Sequence, residues 1–168
     1  ARAWRPAVVA RLARTLGPTT GSRCMSKFLR VLLAVVAGFV VGSVVNMALV
    51  TVSGRVIPPP AGADVTTMEG LKAALPLFEA RHFIFPFMAH ALGTLVGALV
   101  ACWLAPGKSP VPAYIVGGLF LLGGIANALM LPAPAWFVAA DLLLAYVPAA
   151  WLGQALVQRM SRRSASGA

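Results

Sequence analysis

The chain has 168 residues, 60% of them hydrophobic and 11% charged, against about a quarter charged in a soluble domain, and that surplus of apolar surface excludes a water-soluble fold. A formal net charge of +10 would suit a nucleic-acid binder, but the basic residues lie between long apolar runs, where they meet anionic lipid headgroups. Nucleic acid is therefore not expected as a partner, and the length leaves room for one membrane domain.

Residues 1–24 carry Arg2, Arg5, Arg11, Arg14 and Arg23 with no acidic residue. Met25 has the look of a natural start, so this basic segment is expected to be a flexible tail or upstream sequence in preference to a mitochondrial presequence. Cys24 and Cys102 have no metal-ligand companions at useful spacing, which predicts two free thiols. From about 28 to 52 the chain is apolar apart from Asn46 and small hydroxyl residues, long enough for a first membrane span and too long for a signal h-region. Pro58-Pro59-Pro60-Ala61-Gly62 then forms a stiff extended piece. Thr66 and Glu69 fit a capping box. Met68, Leu71, Leu75 and Phe78 recur at helical spacing opposite Lys72 and Glu79, predicting a short amphipathic helix bent at Pro76 that covers the bundle. Further spans are expected at about 85–105, 111–131 and 135–157, separated by Pro106-Gly107-Lys108 and by Leu131-Pro132-Ala133-Pro134, turns too short for anything but reversal. The fold class is an all-α up-down bundle of four transmembrane helices in one domain, 25–158, followed by a basic tail at 159–168.

Charge sets the expected orientation. Before the first span, between the second and third, and after the fourth there are eleven Lys or Arg and no acid. The loop on the opposite side balances Arg55, Lys72 and Arg81 against Asp64, Glu69 and Glu79. Positive residues remain on the cytoplasmic side, so both termini are expected there.

Glycines supply the next signal. Gly38 and Gly42, Gly93 and Gly97, and the pair Gly123 and Gly124 fit helix backbones that approach closely in lipid. The runs Gly42-Ser43-Val44-Val45-Asn46 and Gly123-Gly124-Ile125-Ala126-Asn127 share a pattern that suggests a duplicated two-helix hairpin. Pro148 deprives the Leu144 carbonyl of its helical partner and predicts a kink. Trp136, Trp151, Tyr114 and Tyr146 sit where interface anchors would.

Depth is the most informative quantity. At about 1.5 Å of rise per residue, Asn46, His90, Asn127 and Asp141 come out level, a turn or two below the outer surface. An ionised Asp within hydrocarbon costs a few kcal/mol, so Asp141 must face protein or water. Two readings remain open. In one, Asp141 and His90 share a proton or hold a cation, with Asn46 and Asn127 as amide ligands. In the other, the four residues bond to each other and lock the helices in register. A metal site joining His82 and His90 would require the second span to begin early despite Pro86, and no metal is expected. No phosphate loop, metalloprotease motif, Ser-His-Asp order or paired CxxC is present, so no cofactor is expected and enzyme activity is the minority reading.

Along PPPAGADVTTMEGLK, HFIFPFMAHALGTLVGA and LLGGIANALMLPAPAWFVAADLLLAYVP, about Met25 to Gly153, the chain resembles an uncharacterised family of small bacterial four-helix integral membrane proteins. The resemblance implies the fold and favours Met25 as the start; it brings no substrate, cofactor or mechanism. The leading functional expectation is a non-enzymatic protein that binds or passes a small solute or ion, as a homo-oligomer because four short helices enclose little volume. The rivals are a structural or partner-binding subunit, and a membrane-embedded enzyme acting on a lipid or quinone with His90 and Asp141 as acid and base.

Overall fold

The computed structural model describes residues 26–166; the expectations for residues 1–24, Cys24 and Met25 lie outside the described residues. Four helical stretches are long and apolar enough to cross a membrane. The first, α1 (Lys27–Val56), starts at Ser26, whose side chain accepts from the Leu29 N–H, and ends as the chain approaches Pro58. It runs past the expected end at 52 because nothing before Pro58 interrupts the backbone ladder.

The connection that follows caps one end of the bundle. Ala63 N–H donates to the Pro60 carbonyl across a turn in which Gly62 adopts φ +80, a conformation that glycine enters without steric cost. The short helix α2 (Met68–Ala74) is capped by Thr67, which accepts from the Gly70 N–H. Thr66, the expected cap, gives both its N–H and its hydroxyl to Asp64 instead. The cap therefore sits one residue later, because Asp64 offers Thr66 the stronger acceptor. Pro76 ends α2 and opens the 3₁₀ turn Leu75–Leu77. A second 3₁₀ turn, Ala80–Phe83, leads into α3 (Ile84–Leu104).

The Pro106–Lys108 turn reverses the chain into α4 (Val111–Met130). The fourth stretch is two helices, α5 (Ala135–Leu144) and α6 (Val147–Ser166), broken where Pro148 removes the donor that the Leu144 carbonyl would need. Arg159, Arg162 and Arg163, expected in a tail, continue α6.

α3 is the central helix, touching α1, α4 and α6. The half of the bundle towards the described ends is knit by small side chains: Ala98, Cys102, Ala113, Ala150 and Val157 form one buried cluster, and Val35, Ala101 and Val116 another. Close approach is what allows this. A Cβ on Gly97 would stand 2.8 Å from the Gly38 carbonyl oxygen, and one on Gly93 2.9 Å from that of Gly42, so α1 and α3 meet backbone to backbone. The cap half is built differently, from Leu75, Phe83 and Phe137 with Phe78, Phe87 and Leu131 against them. Large rings leave gaps that alanines and glycines do not.

Candidate functional site

Between the small-residue half and the cap lies a cavity of about 500 Å³, and Asn46, His90, Asn127 and Asp141 all line it. They come from α1, α3, α4 and α5, so the level depths expected from helical rise correspond to one shared space. The four do not bond to each other as a set. His90 Nδ1 lies 2.9 and 3.0 Å from the two carboxylate oxygens of Asp141. Asn46 and Asn127 take no part in that contact.

Tyr146 completes the network, and the sequence placed it elsewhere, as an interface anchor. It is 1% exposed, its hydroxyl donates to Asp141 Oδ2 at 2.9 Å, and its ring stacks on His90 with centroids 5.7 Å apart. Five residues along an unbroken helix turn a side chain to another face; the break between α5 and α6 returns Tyr146 to Asp141. Gly124 makes room for the ring, since a Cβ there would strike the Tyr146 hydroxyl and ring carbons. The other expected anchors, Trp136, Trp151 and Tyr114, are exposed on the bundle surface.

Asp141 is 4% exposed, and each of its oxygens accepts from a neighbour, as a buried carboxylate requires. A carboxylate only accepts, which assigns Nδ1 as the donor in that contact, and Nε2 of His90 has no hydrogen-bond partner among the described residues. Thr94, fully buried, donates to the His90 carbonyl at 2.7 Å and fixes the turn that carries the imidazole. Asn46 packs its Cβ against Gly93, and its Oδ1 is buried with no hydrogen-bond partner among the described residues. Asn127 is exposed at the rim.

The walls are apolar. Phe39, Phe78, Phe83, Phe120 and Phe137 line the cavity, and among the described residues no Lys or Arg does. Towards the described ends it is closed by the Phe39 and Phe120 rings, 5.1 Å apart, over the Val35, Ala101 and Val116 cluster. Leu71, Leu75 and Phe78 roof it from the cap. The exposed lining residues are Phe39 and Val50 on α1 and Leu119, Gly123 and Asn127 on α4, so the mouth is the slot between α1 and α4. Gly123, expected to pack, meets nothing within 4 Å of a Cβ position; it borders the slot. Gly117, not singled out from sequence, does pack, against Ala150.

His82 does not join His90. It accepts from the Glu79 N–H at 2.9 Å in a reciprocal cap and faces the Phe78 ring. Among the described residues no three His, Cys, Asp or Glu side chains are grouped to hold a metal ion. Cys102 is a free, buried thiol.

No protein-family model, curated protein or solved structure matches this chain.

Proposed function

We propose that the protein is a multi-pass binding protein of a bacterial inner membrane, with the capped end outward, that holds a small, largely apolar molecule in the outer half of the bilayer. The charges support this orientation: Lys27, Arg30, Lys108, Arg159, Arg162 and Arg163 gather at the end opposite the cap, while the cap region balances three basic residues with three acidic ones, as the positive-inside rule requires. One observation carries the reading. The four level polar residues line a single cavity that is mainly apolar and closed towards the cytoplasmic end, the form of a ligand pocket. A conduit for ions would need a polar path through the glycine seam of α1 and α3, where backbones touch. A purely structural role would suit the bonded set His90, Asp141 and Tyr146. It leaves the buried, unpartnered Asn46 oxygen without a purpose, because such a group costs about 1–3 kcal/mol.

Gly123 and Gly118 make a matched pair for testing this, because a Cβ at either position meets nothing within 4 Å and only Gly123 lines the cavity. Gly123→Leu should fill the mouth, and Gly118→Leu should not. In native mass spectrometry of protein extracted from its own membranes, the wild type and Gly118→Leu should carry a bound small molecule that Gly123→Leu has lost. The same adduct on all three, or none on any of them, would refute the reading.

A further inference from the structure

Two features of the cavity narrow what it holds. The first is its mouth. The exposed lining residues lie on α1 and α4 alone, and from Phe39 to Val50 the slot runs about 16 Å along α1 at the helical rise, about half of the roughly 30 Å hydrocarbon thickness. Of the roof, Leu75 is buried, at 6% exposure, and Leu71 and Phe78 are half-buried. A ligand from the hydrocarbon can thus reach the cavity sideways, and its chain can remain in the slot.

The second feature is charge. The ionisable side chains in the lining are Asp141, His90 and Tyr146, and both Asp141 oxygens are already occupied. Among the described residues no guanidinium or ammonium is there to receive a phosphate or carboxylate. The polar groups without partners among the described residues are Nε2 of His90 and the amides of Asn46 and Asn127, which donate and accept but carry no fixed charge.

Resting on the binding function proposed above, we infer that the ligand is an uncharged lipid. Its apolar chain enters between α1 and α4, and its head bears hydroxyls that donate to His90 Nε2 and Asn46 Oδ1, or carbonyl oxygens that accept from the amide N–H groups of Asn46 and Asn127. The head lies among the five phenylalanines against Asp141, His90 and Tyr146, and the chain passes Leu119 and Gly123 into the bilayer. Glycerides and quinones share this chemistry.

The test mixes the delipidated full-length protein with four probes: dioleoylglycerol, an alkyl-chain benzoquinone, dioleoyl phosphatidic acid and dioleoylphosphatidylcholine. Retention is read by native mass spectrometry. At least one of the two uncharged probes should be retained about tenfold or more over both charged ones, the penalty expected for an unpaired charge in hydrocarbon; whichever is retained identifies the source. Gly123→Leu should abolish that retention. A dioleoylglycerol or quinone analogue with a diazirine on its chain should label α1 around Val50 and α4 around Leu119 and Gly123. If a charged lipid is retained equally well, the head-group inference fails while the binding function stands. Label confined to the cap, around Leu71 and Phe78, would overturn sideways access. If Gly123→Leu retains every probe as the wild type does, both proposals fail.

Discussion

Two helix contacts made by α1 use nearly the same sequence to opposite ends. On its α3 side, Gly38 and Gly42 meet Gly97 and Gly93 so closely that no side chain could stand between the backbones. On its α4 side, Asn46 lines the cavity together with Gly123 and Asn127, and a Cβ on Gly123 would meet nothing within 4 Å. The shared pattern of glycine and asparagine in α1 and α4 thus seals one contact and opens the other. A small residue in a membrane helix permits close approach, and what approaches is decided by the neighbouring helix.

That contrast can be broken most severely at the seam. Gly38→Leu or Gly97→Leu must push two backbones apart and should cost about 3 kcal/mol or more, the upper part of the overpacking range, measured by reversible unfolding in detergent. Tyr146→Phe removes the hydroxyl from Asp141 and should cost about 1–3 kcal/mol in the same assay. The sealed and open regions each hold a buried oxygen without a partner among the described residues, Gln154 Oε1 and Asn46 Oδ1. Gln154→Met should stabilise the fold by about 1 kcal/mol and leave binding unchanged. Asn46→Leu should stabilise similarly and, on the proposed reading, weaken retention of the uncharged probes, because of the two only Asn46 lines the cavity. Gly123→Leu should change stability by no more than about 0.5 kcal/mol.

The smallest effect concerns the cap. The Thr66 hydroxyl, the Thr66 N–H and the Thr67 hydroxyl hold the Asp64 carboxyl below its ordinary value of 3.8. Because the folded value is the lower one, the contribution of Asp64 is complete above 3.8 and is lost as pH falls through the lowered value. Exchange of the Gly70 amide proton should quicken only in that acid range, and Thr66→Val should move that range towards 3.8 by removing one of the donors.

Much of the site was legible as depth. The helical rise alone puts Asn46, His90, Asn127 and Asp141 level, and all four line one cavity. Tyr146 was not legible in this way, because its approach to Asp141 depends on how the chain resumes after the break before Pro148. The kink could be read from Pro148, but the direction of the second segment is set by its contact with α3 and by the space Gly124 leaves. The phenylalanine walls were equally hidden. In a chain this apolar, nothing local separates a ring facing lipid from one facing a cavity, and only tertiary contacts distinguish Phe28, 76% exposed, from Phe137, 7% exposed.

The most direct measurement of the central claim is the environment of residue 123. With Cys24 and Cys102 replaced by alanine, a nitroxide on Gly123→Cys in lipid bilayers is read for collision with oxygen and with a water-soluble nickel chelate. A slot open to hydrocarbon predicts ready collision with oxygen and little with nickel. A label shielded from both reagents, or one reached by nickel as readily as by oxygen, would contradict it: the first would mean a packed contact and the second a water-filled path.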